Sequence, residues 1–260
     1  MSADLPRKVA LVTGGAGGIG AAVVEALAAD GVAVACCDHV PPEGDARGAV
    51  GNYGAVENYR LDVTDPRAVR RTVAAVEADL GPIHYLANVA GVLTTARVLD
   101  PDPGWDEHWQ RLFAVNTVGV VNVSRAVAAR MASRGHGAIV TVGSNAAAVP
   151  RVGMAAYCAS KAAAHMFTRV LGLELAEYGV RANIVSPGST RTPMLAALLG
   201  ADDADDVVAG DPAAFKLGIP LGRVATPAAV AAAVRFLLSD AAAHITLHDL
   251  RVDGGATPGT

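Results

Sequence analysis

Apolar residues gather in short unbroken runs along this chain, and the runs are separated by longer alanine-rich stretches in which polar positions recur at helical spacing. The segments VALVT (9–13), VAVACC (32–37), VENYRL (56–61), HYLAN (84–88), AIVTVG (138–143), RANIVS (181–186) and ITLHDLRV (245–252) read as strands. Their hydrophobicity is continuous rather than alternating, which predicts strands covered on both faces, hence a parallel sheet between helical layers. Helices are expected over 19–29, 66–80, 105–134, 154–178 and 227–239, with Asp65 capping the second of them. Seven strands with crossover helices make a single α/β domain over 1–260, a Rossmann-like doubly wound parallel sheet with helices on both faces. The longest irregular stretch, 187–226, contains GADDADDVVAGD, and about 188–225 is expected to form a mobile substrate flap.

Composition agrees and narrows the function. With 260 residues, 52% hydrophobic and 18% charged, the chain can bury a large core. A net charge of -4 with 4% aromatic residues gives no basic stripe or stacking platform, so nucleic acid and anionic membrane surfaces are poor partners and a small molecule is the better one. MSADLPRKVALVTGG lacks an apolar leader core, and no stretch reads as a membrane span, so a cytoplasmic protein is expected. Cys36, Cys37 and Cys158 are too few and too oddly placed for a disulfide framework and are expected as buried thiols. The histidines form no metal cluster: His244 and His248 flank a strand, about 13 Å apart at about 3.3 Å per residue. The remaining His39, His84, His108, His136 and His165 are expected at surfaces or helix flanks.

Candidate chemistry begins after the first strand. TGGAGGIG places Gly14, Gly18 and Gly20 where a strand turns into a helix, and glycines there let the backbone approach a pyrophosphate resting on the helix N-terminus. Asp38, at the end of the second strand, suits the two ribose hydroxyls and repels a 2′-phosphate, favouring NAD over NADP. Asp62 has two readings, an acceptor for the adenine amino group or a helix cap, the second being filled better by Asp65. Tyr157 and Lys161, four apart in AYCASKAAAHMF, fall on one helix face, either as a solvated pair or as an acid/base with a tuning cation. TVGSNAA lacks the G-x-S-x-G elbow, so Ser144 is no hydrolase nucleophile.

In order and spacing, T-G-x-x-x-G-x-G at 13–20, NVAG at 88–91, Asn116, Ser144, Y-x-x-x-K at 157–161 and SPG at 186–188 resemble the short-chain dehydrogenase/reductase family over essentially the whole chain. The resemblance implies a tetrad of Asn116, Ser144, Tyr157 and Lys161. Tyr157 acts as base, its pKa lowered by Lys161 and the oxidised nicotinamide, Ser144 holds the substrate oxygen, and Asn116 braces a water. It also places NAD against Ile19, Val63, Asn88, Pro187, Gly188 and Thr190 besides the glycines, Asp38, Asp62, Tyr157 and Lys161, and it implies a homotetramer packed through 105–134 and 154–178.

Within that family, PRVGMAAYCASKAA, FKLGIPLGRVATP and HITLHDLRVDGG are similar to the subgroup that oxidises 2,3-dihydro-2,3-dihydroxybenzoate in siderophore pathways, with His248 and Arg191 as departures. A ring carboxylate calls for a guanidinium, for which Arg151 is the candidate and Arg191 a second, while Met154, Met194 and Phe215 are candidates for the apolar wall. Oxidation of a dihydro-hydroxyanthranilate, with Arg191 and His248 reading its amino group, a generic ketoreductase and a non-catalytic NADH sensor are the alternatives.

Overall fold

A computed structural model describes residues 7–41, 55–101, 104–200 and 206–258. Seven strands form one all-parallel sheet: β1 (Val9–Thr13), β2 (Ala33–Asp38), β3 (Val56–Arg60), β4 (Ile83–Asn88), β5 (Gly137–Val142), β6 (Val180–Pro187) and β7 (Asp249–Val252), in the order β3-β2-β1-β4-β5-β6-β7. The helices are α1 (Gly18–Ala29), α2 (Pro66–Leu80), α3 (Trp105–Phe113), α4 (Val120–Arg134), α5 (Ala155–Leu175), α6 (Pro193–Leu199), α7 (Asp206–Ala209) and α8 (Pro227–Leu238). A π-helical segment, Ala114–Gly119, joins α3 to α4.

Alternate residues of each central strand feed two separate cores. Leu11, Cys37, Leu86 and Ile139 pack with Val73 of α2, Val127 and Met131 of α4 and Leu171 of α5. Val12, Cys36, Ala87 and Val140 pack with Val23 and Leu27 of α1 and Val234 of α8. Both faces being covered explains the continuous apolar runs. Burial raises the Cys36 thiol to about 11 and Cys37 further still, so both are inert packing groups. Cys158 is half-buried.

Three sequence expectations need correction. The stretch Trp105–Arg134 is long and apolar enough to cross a membrane, with mean hydropathy 1.4 over 18 residues, although the sequence reading found no such span. Some 44% of that window is buried inside the protein, where α4 lies on the sheet. The last strand covers Asp249–Val252 rather than 245–252, because Leu247 takes φ +66 and interrupts the extended backbone. The stretch 187–226 is not irregular throughout: α6 and α7 lie in it, and Leu195, Val207, Ile219 and Val224 form a small core with Ala256. Residues 201–205, most of its acidic run, lie outside the described residues.

Candidate active site

Chain order reverses between β1 and β4, and the loops after these two strands open a cleft at the carboxyl edge of the sheet, where doubly wound folds bind ligands. Thr13 Oγ1 accepts the N–H groups of Val89 (3.1 Å) and Ala90 (3.2 Å), tying the NVAG loop to the glycine turn. Gly14 takes φ +67, and a Cβ there would come within 2.8 Å of the Ala90 backbone. A Cβ on Gly20 would overlap the Gly14 carbonyl oxygen. Side chains are thus excluded at Gly14 and Gly20 for steric reasons, leaving backbone exposed at the start of α1 that fits a dinucleotide diphosphate.

The cleft has a volume of about 890 Å³, and its walls include Gly14, Gly18, Ile19, Gly20, Asp38, Asp62, Val63, Pro187, Gly188 and Thr190, all expected from the sequence. Asp38 accepts the Ala16 N–H (3.0 Å) and the Val40 N–H (3.2 Å), which fixes its carboxylate on the wall with lone pairs to spare for hydroxyl donors. Asp62 is held by the Thr64 hydroxyl and N–H, which keep its carboxyl below the usual range, while Asp65 caps α2 through the Arg67 N–H (2.7 Å). Asn88 departs from expectation. Its side chain is buried away from the cleft, with Nδ2 donating to Ser124 Oγ (2.9 Å), so it fastens α4 to the sheet. Arg47, which follows Asp38 along the chain, lies outside the described residues.

Ser144 follows β5 and caps a short 3₁₀ turn, Asn145–Ala147, its Oγ accepting the Ala146 N–H (3.1 Å). That hydroxyl is also hydrogen-bonded to Tyr157, which α5 directs into the cleft together with Lys161 one turn on. Lys161 Nζ lies 5.9 Å from the Tyr157 ring centroid and donates to the Val142 carbonyl (3.0 Å). Burial pushes this ammonium down to about 8. Burial also raises the Tyr157 phenol, outweighing the hydrogen bond from Ser144. Within the chain the phenol therefore shifts opposite to the sequence expectation. Asn116 sits fully buried in the π-helical segment, accepting the Val92 N–H (2.9 Å) and donating to the Val92 carbonyl (3.0 Å) and Ser160 Oγ (3.1 Å). Three of its four hydrogen-bonding positions are thereby used, so its side chain braces the loop after β4.

The cleft is also lined by Arg151, Met154 and Met194, three of the substrate candidates named from the sequence, together with Arg111, Lys216 and Leu217, which the sequence did not single out. Burial first, and the charge of Arg151 second, lower the Lys216 ammonium. No carboxylate among the described residues forms a salt bridge with either cation. Phe215 is not part of the wall: it takes φ +54 and is 89% exposed. Arg191 and His248 are exposed and line no part of the cleft. His165, expected on a helix flank, is 4% exposed.

Comparison with known proteins agrees with this geometry. Residues 8–202 match the family described as short chain dehydrogenase. The chain is 48% identical over 257 residues to the 2,3-dihydro-2,3-dihydroxybenzoate dehydrogenase of Bacillus subtilis (strain 168), covering 97% of each chain. It is 44% identical over 258 residues to the vibriobactin-specific 2,3-dihydro-2,3-dihydroxybenzoate dehydrogenase of Vibrio cholerae, covering 98% of this chain and 97% of that one. A crystal structure of a short-chain type dehydrogenase/reductase from Mycobacterium marinum superposes with a TM-score of 0.85 at 32% identity, covering 98% of both chains. The chain belongs to the short-chain dehydrogenase family of oxidoreductases, which use nicotinamide cofactors.

Proposed function

We propose that the protein oxidises 2,3-dihydro-2,3-dihydroxybenzoate to 2,3-dihydroxybenzoate with NAD. The observation that carries this reading is one cleft that joins a half-buried Tyr157, set against the buried Ser144, to the cations Arg151 and Lys216, with which no carboxylate among the described residues forms a salt bridge, Asp211 acting on Lys216 only at longer range. Relatives named for this reaction, similar over almost the whole chain, support the choice of ring.

When bound, the oxidised nicotinamide supplies a hydride acceptor and a positive charge beside the phenol. Tyr157 takes the proton of the ring 3-hydroxyl as the carbon–hydrogen electron pair leaves, and the hydroxyl oxygen becomes a ketone. Ser144 donates a hydrogen bond to that oxygen and holds it on the Tyr157 side. Lys161, held by the Val142 carbonyl, keeps a positive charge behind the phenol at neutral pH. The enone then tautomerises to the catechol, and aromatisation makes the oxidation one-way. Arg151 and Lys216 hold the carboxylate, which relieves the repulsion between them. Asp38 selects NAD by accepting from the ribose hydroxyls.

The test is NADH formation with this diene and with 2,3-dihydro-3-hydroxyanthranilate. Turnover of the first, its loss in Tyr157→Phe with NAD binding retained, and a raised KM for the diene alone in Arg151→Met and Lys216→Met are expected. No turnover of the diol would sink the assignment, and preference for the amino compound would replace it. We also propose a homotetramer, with the exposed apolar residues Met166, Val170 and Leu173 on one face of α5 packing on a partner, and movement of 188–225 on substrate binding. Unchanged protease sensitivity of that segment with both ligands present would contradict the movement.

A further inference from the structure

Tyr157, Lys161, His165 and Arg169 follow one another at four-residue steps, so a single face of α5 continues from the cleft into the protein interior behind Ser144. His165 is buried there, and its Nε2 accepts the backbone N–H of Ser144 (3.3 Å). The proton must then sit on Nδ1, which points at Asp249 Oδ2, 3.4 Å away on β7. Asp249 also accepts the Ser186 hydroxyl from β6, and Arg169 lies 3.6 Å from the same Oδ2. Although burial opposes ionisation, the hydrogen bonds from His165 and Ser186 and the charge of Arg169 keep the Asp249 carboxyl below its usual range. Gly143 is what permits the approach, since a Cβ at that position would overlap His165 Nε2.

We propose that His165, oriented by Asp249, is a positioning residue that fixes the main chain of Ser144 and thereby the direction of its hydroxyl. The inference rests on the reading of Ser144 given above. As cap of the 3₁₀ turn, Ser144 has its hydroxyl tied at one end to the Ala146 N–H and aimed at Tyr157 at the other. Its own N–H is buried and has no place in that turn. Without the imidazole acceptor this donor would be unsatisfied, and the backbone would turn to find another partner, carrying the hydroxyl away from the phenol.

The experiment compares the wild type with His165→Leu, His165→Gln and Asp249→Leu, measuring kcat, KM for the diene and for NAD, and hydrogen exchange of the Ser144 amide. His165→Leu is expected to lower kcat on the order of tenfold to a hundredfold, as a small misplacement of a reacting group does, and to speed Ser144 exchange while KM for NAD stays put. His165→Gln restores both, because its amide can accept from Ser144 and donate to Asp249. A folded His165→Leu with wild-type kcat and exchange, or a His165→Gln as slow as His165→Leu, would overturn the proposal. Should His165→Leu fold poorly, Asp249→Leu keeps the ring but removes the acceptor for its Nδ1–H and is expected to show the same two losses; their absence would equally overturn it. A wild type inactive on the diene defeats the substrate reading instead, and the exchange measurement still decides the role of His165.

Discussion

Lys161 carries a charge into a site where burial holds its ammonium near 8, against an ordinary 10.5. Between those values the unfolded chain binds more protons than the folded one, so stability gains with rising pH across that window. Below it both states are protonated and the full cost of burying the charge is present. Comparing Lys161→Met with wild type cancels the opposing contributions of Tyr157, Cys36 and Cys37. The stability of the wild type relative to the variant should then climb by on the order of 3 kcal/mol from about pH 8 to 10.5, measured by denaturation. A flat difference would mean that the buried ammonium holds its proton as firmly as in the unfolded chain, so that burial does not lower it. Side-chain direction is also where the sequence was least readable. Phe215 and Lys216 are adjacent, yet Phe215 stands in solvent and Lys216 faces the cleft, and composition alone favours the aromatic as wall. His165 was illegible for a related reason, since its partner Asp249 is far away in the chain and its acceptor contact depends on Gly143 having no side chain.

At the scale of elements, the glycine turn has little freedom to vary. Gly20→Ala would force a methyl group onto the Gly14 carbonyl oxygen, so the turn must open and the amide cradle spread. Affinity for NAD, measured by calorimetry, should fall by about tenfold or more, as expected for losing one or more charge-assisted contacts. Wild-type affinity in that variant would show that the turn can relax without losing its ligand geometry. Elements with strong local signals were legible: α2 spans Pro66–Leu80 as read, bounded by the Asp65 cap and Gly81, and β1 is Val9–Thr13 as read. The final strand was over-extended because ITL is as β-prone as any true strand, whereas Leu247 N–H and His248 N–H bond back to Ala182 and Asn183.

For the whole molecule, the decisive question is assembly. Leu173 is 67% exposed and continues the apolar stripe of Met166 and Val170, an arrangement that is costly on a monomer in water. Sedimentation of the wild type is expected to give a tetramer, and Leu173→Asp a smaller species. A monomeric wild type would remove the proposal. The parallel architecture was readable in advance because both sheet faces are covered, which leaves continuous apolar runs in strands such as β1, β2 and β5.

Among the strands, β7 comes last in chain order, yet it and the residues just after it brace two turns that face the cleft. The Val252 carbonyl receives the Gly188 N–H (3.1 Å), and Asp253 and Thr257 receive the Asn145 amide (3.3 and 3.1 Å) beside Ser144. The turns at Gly188 and Ser144 therefore depend on a strand remote from them in the chain. Damage to β7 is thus expected to reach the reaction centre through these acceptors, although the strand itself carries none of the reacting groups.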